Sequence, residues 1–189
     1  QRQMCIRDSY VSVSKDVTAL VTHTRELRQQ AYHDALTGLL NRRAGETQLQ
    51  LCSQNAQMRQ SHYALILCDI DNFKQVNDRF GHETGDHVLQ RCASLLSASV
   101  RSGHTVVRWG GEEFLIILPD CPPSAALDLA ERIRSTVASH DDPVIGGFTI
   151  SLGVATSETI EDHTALLRKA DSALYACKRN GRNQALIAA

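Results

Sequence analysis

The run FLIIL, Phe114–Leu118, constrains the fold more than any other stretch, because it contains no polar side chain. Side chains on a strand alternate between faces, so an unbroken apolar run needs cover on both sides of its sheet. Residues 63–68, YALILC, make the same demand and end at Asp69-Ile70-Asp71. The rest of the chain supplies the cover. Helices are expected at about 42–60, 72–79, 84–100, 124–139 and 163–179. Val88, Leu89, Cys92, Leu95 and Leu96 share one face of the third, and Ala126, Leu129, Ala130, Ile133 and Val137 one face of the fourth. Asn180-Gly181 is a good stop for the last helix. Val106–Trp109 and Phe114–Leu118 read as a hairpin about Gly110-Gly111. GFTISLGVAT alternates Phe148, Ile150, Leu152 and Val154 as a strand, and a short strand is expected near 185–188. Strands alternating with helices, plus one hairpin, give an α/β or α+β sheet of mixed direction.

The 189 residues suffice for one domain with a proper core plus some extra chain. Lys and Arg number 20 against 21 Asp and Glu, which argues against a broad nucleic-acid or anionic-membrane surface but not against a small basic pocket. The six cysteines form no CxxC pair and sit mostly in apolar segments, so they read as reduced core residues of a cytoplasmic domain. No apolar run approaches the ~18–20 residues that span a bilayer, and no secretory signal is visible. A membrane-anchored parent protein stays compatible with this. Residues 1–9, QRQMCIRDS, look like translated sequencing adapter and are set aside as non-native. YVSVSKDVT, 10–18, resembles the last strand and exit of a PAS sensor domain. Val17, Leu20, Thr24, Leu27 and Ala31 then keep heptad spacing, as a dimeric signalling helix or as an amphipathic helix capping the next domain. The globular domain is placed at 34–189.

Adjacent carboxylates where a core strand begins, Glu112 and Glu113, repel each other and lose hydration unless a positive charge meets them. Asp69 stands at the end of another strand. If the two strands are neighbours, Asp69 and Glu112 can converge on a hard divalent cation, which binds through oxygen. A solvated sheet end is the competing reading. The segment DIDNFKQVNDRFGHETGD, 69–86, favours the metal: the amides around Ile70–Phe73 open a helix and can cradle phosphate, and Lys74 lies nearby. Asn77 and Asp86 offer an amide and a carboxylate that suit a guanine edge. Either residue alone would be read as a cap.

GGEEF at 110–114 resembles the signature of the GGDEF family of diguanylate cyclases. DALTGLLNRR (34–43), DIDNFKQVNDRFGHETGD (69–86) and ADSALYACKRNGRN (170–183) resemble the family's other motifs in order and spacing. The resemblance implies a five-stranded mixed central sheet surrounded by helices, related to class III nucleotide cyclases and polymerase palms. It implies condensation of two GTP into cyclic di-GMP and two pyrophosphates. Carried over by residue, Asp69, the Ile70 carbonyl and Glu112 hold Mg²⁺, two ions per site, with Mn²⁺ as a substitute. Glu112 is also the suggested base, and Glu113 a supporting carboxylate. Asn77 and Asp86 match the guanine contacts, and Asn72 and Phe73 the backbone phosphate contacts. Lys74, Lys178 and Arg182 match phosphate-facing cations, with Lys178 and Arg182 expected one helical turn apart. The two-fold symmetric product implies a homodimer with one GTP per subunit and an inactive monomer.

One motif departs from the family pattern. Where many members carry Arg-x-x-Asp as a product-inhibition site, this chain has Arg101-Ser102-Gly103-His104. Arg132 matches a secondary contact there. Losing the carboxylate implies weak or absent feedback. His82 and His87 are read as non-catalytic, His33 as support for the linker junction and Trp109 as packing. The alternative to an active cyclase is a non-catalytic domain that binds GTP or cyclic di-GMP. A third reading, altered base or product choice, is opposed by Asp86, which suits guanine's N–H donors.

Overall fold

The computed structural model describes residues 31–157 and 162–188. The sensor-like exit at 10–18 and the seam from Val17 to Leu27 lie outside the described residues. The elements in chain order are α1 (Arg42–Arg59), β1 (Tyr63–Ile70), α2 (Phe73–Phe80), α3 (His82–Ser99), β2 (Thr105–Arg108), β3 (Glu113–Pro119), α4 (Pro123–Ala138), β4 (Ile150–Thr156), α5 (His163–Arg179) and β5 (Ala185–Ile187). They form a mixed five-stranded sheet of order β2-β3-β1-β4-β5. β1 pairs antiparallel with both β3 and β4, β2 antiparallel with β3, and β5 parallel with β4.

Both apolar runs are buried on both faces, as their composition requires. Ala64, Ile66, Cys68 and Ile70 of β1 pack under α3 and α4. Tyr63, Leu65 and Leu67 face the opposite way, toward α1 and α5. The five apolar positions expected on α4 are all buried; of those on α3, Leu95 lies at the margin of its face. β1 extends through Asp69 and Ile70 rather than ending at Cys68, because the ladder to β3 and β4 continues to the acid. The hairpin turn is longer than two glycines. Trp109 leaves β2 to become buried beside α1, where the Arg42 guanidinium sits 5.0 Å over its ring.

One glycine sets how closely α5 meets the sheet. A Cβ on Gly153 in β4 would lie 2.0 Å from the Ala170 carbonyl oxygen and 2.3 Å from the Leu174 amide nitrogen. The helix backbone therefore rests directly on the strand. The DALTGLLNRR segment docks onto β2. Asn41 Oδ1 caps α1 by accepting from the Ala44 amide, and Asn41 Nδ2 donates to the Ala31 carbonyl. His33 lies 2.9 Å from the Gly38 carbonyl, a turn contact at the junction. Asp34 Oδ1 accepts from the Thr37 hydroxyl, and Arg108 Nη1 donates to both Asp34 carboxylate oxygens at 2.9 and 3.0 Å. Arg108 Nη2 also donates to the Gly111 carbonyl, so the linker end is tied to the GGEEF turn. The five described cysteines are buried free thiols. Among the described residues no helix is long and apolar enough to cross a membrane.

Candidate active site

Alternation along β1 continues from Leu65 and Leu67 to Asp69, so this carboxylate points to the α5 side of the sheet. Register places Glu113 of β3 directly opposite Asp69, two residues on from the Leu67–Leu115 pair. Glu112 sits in the turn just before it, its carbonyl accepting from the Ile70 amide at 3.3 Å. A Cβ on Gly110 would lie 2.8 Å from Glu113 Oε2, so the missing side chain leaves room for that carboxylate. From α5, Lys178 Nζ reaches Asp69 Oδ2 at 2.7 Å. Asp69 is only 5% exposed, and its pKa is pushed up from 3.8 to about 6. Burial is the largest cause; the Lys178 hydrogen bond and charge oppose it, while the charges of Glu112 and Glu113 add to it. Three acids thus share one end of the sheet, with one lysine among them.

That donor set fits a hard cation. Among the described residues no three His, Cys, Asp or Glu side chains converge on a single point. Mg²⁺, however, takes one or two carboxylates and completes its shell with water and substrate phosphate. Asp69, Glu112 and the Ile70 carbonyl would hold it, and a bound cation would offset both the burial that chiefly raises the Asp69 pKa and the smaller repulsion from Glu112 and Glu113.

Asn72 caps α2 in the left-handed region, φ 57°, and α2 starts at Phe73. The Gln75 and Val76 amides donate to the Asn72 carbonyl at 2.8 and 3.3 Å, the Phe73 and Lys74 amides precede them at the helix start, and the Lys74 side chain is exposed there. α2 and α3 form a tight pair about Gly81. A Cβ on Gly85 would fall 1.9 Å from Asn77 Oδ1 and 3.3 Å from Phe73 Cζ. Gly85 therefore makes the space that Asn77 occupies, and exposed Asp86 follows directly on the same helix.

Lys178 lies in the last turn of α5, but Arg182 is not on that helix. Gly181, at φ 103°, ends it, and Arg182 follows at φ 65° in a loop. The two cations thus come from a helix end and a loop, not from one helical face.

Several important partners have no local sequence signal. Asp71, 6% exposed, accepts from Thr149 Oγ1 and Ser151 Oγ, both at 2.7 Å, and from the Asn183 amide at 3.0 Å. Its place two residues after Asp69 put it on the same side of the sheet, which was the available clue. Arg101 Nε donates to His104 Nε2 at 2.9 Å, and burial together with the Arg101 charge lowers the His104 pKa. Arg132 donates to the Ser99 carbonyl at the end of α3. His87 lies 3.1 Å from the buried Asp142 carboxylate, which holds the loop before β4 by accepting from Val144 and Ile145 amides.

A mixed sheet of this order, with acids at one end of its central strands and a helix start beside them, defines the domain's α/β class. The family model "Diguanylate cyclase, GGDEF domain" matches residues 31–184, and the chain belongs to that family. Diguanylate cyclase DgcM of Escherichia coli K12 is 42% identical over 177 residues, covering 92% of this chain and 42% of that protein. Response regulator PleD of Caulobacter vibrioides is 42% identical over 167 residues, covering 85% of this chain and 36% of that protein. The chain thus spans less than half of either relative. The coiled coil and GGDEF domain of DgcB from Caulobacter crescentus, solved in complex with c-di-GMP, superposes with a TM-score of 0.90. It is 32% identical, over 97% of this chain and 99% of that one. The active GGEEF domain of a diguanylate cyclase from Vibrio cholerae gives 0.77 at 36% identity, over 80% of this chain and 98% of that one.

Proposed function

We propose that the chain is the catalytic part of a diguanylate cyclase, condensing two GTP into cyclic di-GMP and two pyrophosphates in a signalling protein. The observation that carries this reading is the acid cluster of Asp69, Glu112 and Glu113, with Lys178 on Asp69 at 2.7 Å. Bound Mg²⁺ would supply charge neutralisation for the phosphates and the leaving pyrophosphate. The chain's own residues do the positioning, which dominates phosphoryl transfer. The amides at Asn72 and Phe73 receive phosphate oxygens, with Lys74 adding charge. Lys178 and Arg182 draw the triphosphate toward Asp69. Asn77 and Asp86 select guanine, Asp86 by accepting its N–H donors. Glu112 accepts the proton of the attacking 3′-hydroxyl, and Glu113 keeps the turn acidic.

Each subunit holds one GTP, so the reaction needs two subunits face to face, each 3′-oxygen aimed at the other's α-phosphorus. A sensor of PAS type before residue 34 would set their mutual orientation, through the Asp34–Arg108–Gly111 contacts. Arg101 is engaged by His104 and Arg132 by the end of α3, which supports weak product feedback. The domain acts in the cytoplasm, where GTP is supplied. The test is incubation of the purified chain with GTP and Mg²⁺ and detection of cyclic di-GMP by mass spectrometry. Product from wild type and none from Glu112→Ala is expected. A substantial rate in Glu112→Ala would remove Glu112 from its role.

A further inference from the structure

We propose that Asp71 is a positioning residue for the triphosphate cradle: its buried carboxylate fixes the loop that carries Arg182 against the acidic end of the sheet. The proposal rests on the reading of Arg182 as a phosphate-facing cation.

The loop needs holding. Gly181, Arg182 and Asn183 have φ of 103°, 65° and 44°, three left-handed residues in succession. For residues with a Cβ this conformation costs about 1–2 kcal/mol each, and it persists only where surrounding contacts determine it. Those contacts are specific. The Arg182 amide donates to the Cys177 carbonyl at 3.0 Å, and Gln184 Nε2 to the Arg182 carbonyl at 3.2 Å. From outside, Arg134 Nη1 donates to Asn183 Oδ1 at 2.9 Å. From inside, Asp71 Oδ2 receives the Asn183 amide at 3.0 Å.

The inner contact is the one that relates Arg182 to the acids. Asp71 directly follows Asp69 and Ile70 and directly precedes Asn72, where α2 is capped. It also makes three contacts at the start of β4, accepting from the Ser151 hydroxyl and from that of Thr149, the residue just before the strand, and donating its own amide to the Thr149 carbonyl at 2.9 Å. One carboxylate therefore joins the end of the acid strand, the start of the phosphate helix and the Arg182 loop. All three of its donors are neutral groups. A buried carboxylate held by neutral donors alone is a costly way to pack a sheet end, whereas its several acceptor positions allow one group to tie separate segments together.

The experiment measures the KM and kcat for GTP, and the Kd for a non-hydrolysable GTP analogue by calorimetry, on the full chain. The set is wild type, Asp71→Ala, Asp71→Asn, Arg134→Ala, Arg182→Ala, and the doubles of Asp71→Ala and Arg134→Ala with Arg182→Ala. Asp71→Ala should raise KM and Kd about tenfold or more, in keeping with loss of a hydrogen bond to a charged group, with a smaller change in kcat. Combined with Arg182→Ala it should add less than about twofold, because it acts through that residue. Asp71→Asn should stay within about threefold of wild type. Its oxygen can keep both bonds now made by Oδ2, while its NH₂ donates to Ser151 Oγ. Arg134→Ala should raise KM about two- to fivefold, again without effect once Arg182 is gone.

Effects of Asp71→Ala and Arg182→Ala that multiply, or an unchanged Kd in Asp71→Ala, would overturn the proposal. If Asp71→Ala does not fold, the Arg134→Ala and Arg182→Ala cycle decides, and multiplication there overturns it equally. A wild type that binds the analogue yet makes no cyclic di-GMP defeats the assigned reaction and leaves the binding cycle readable. A wild type without affinity for the analogue defeats both.

Discussion

Gly85→Ala should separate stability from nucleotide recognition. A glycine inside a helix costs about 0.8–1 kcal/mol relative to alanine, so the substitution alone favours α3. The new methyl, however, would fall 1.9 Å from Asn77 Oδ1 and 3.0 Å from its Cγ, where ordinary contact begins near 3.4 Å. Asn77 must retreat by about 1.5 Å, further than a hydrogen bond tolerates. It is half-buried at the surface and can rotate outward at little cost, while Phe73 at 3.3 Å needs to give only slightly. The guanine contact assigned to Asn77 is then lost. One neutral hydrogen bond contributes roughly 0.5–1.5 kcal/mol, which is about a 2- to 12-fold rise in KM or Kd for GTP. The unfolding free energy from urea titration should stay within about 1 kcal/mol of wild type. Calorimetry with a GTP analogue on Gly85→Ala, Asn77→Ala and the double variant reads the result. The double should be no worse than Asn77→Ala. An unchanged affinity in Gly85→Ala, or a double variant whose losses multiply, would refute the argument that Gly85 exists to admit Asn77.

Other outcomes follow from the same geometry. Gly153→Ala meets α5 backbone that cannot swing aside, so it should destabilise by about 1–3 kcal/mol in urea unfolding, whereas Gly111→Ala, with nothing within 4 Å, should change stability by less than about 0.5 kcal/mol. Between pH 3.8 and about 6 the folded chain holds a proton on Asp69 that the unfolded chain releases, so the Asp69 contribution to stability falls as pH rises through that window and is flat above it. Asp69→Asn cannot ionise and should melt higher than wild type above pH 6 but not near pH 4, in scans without metal or nucleotide; the opposite order would contradict the raised pKa. Cyclic di-GMP should bind wild type weakly by calorimetry, and His104→Asp, which frees Arg101 and restores a carboxylate, should tighten binding at least tenfold; tight wild-type binding lost in Arg101→Ala would reverse this reading.

Layering was legible in the sequence because it depends on local composition. FLIIL and YALILC demanded cover on both faces, and α3 and α4 announced their buried stripes. The register that sets Glu113 opposite Asp69 was not legible, since β1 and β3 are separated in the chain by two helices and β2 and no single turn joins them. Motif spacing marked Asp69, Asn77 and Lys178, but not that Lys178 rests on Asp69 itself. Helical spacing from Lys178 does not extend to Arg182, because the stop at Asn180-Gly181 turns the chain into a left-handed loop first. Asp71, the Arg108 link to Asp34 and the tight seat at Gly153 stayed hidden for a common reason. Their partners lie 70 or more positions away in the chain, or in backbone that no side-chain pattern reports.

The central position of β1 also guards the chain against a subtle kind of error. Sliding that strand by a single residue against its neighbours would turn Asp69 from the α5 side into the oily layer beneath α3 and α4. A misaligned copy could not persist as a well-folded but silent impostor, because the same carboxylate that equips the site would wreck the interior. Quality control is thus written into the alternation of one strand.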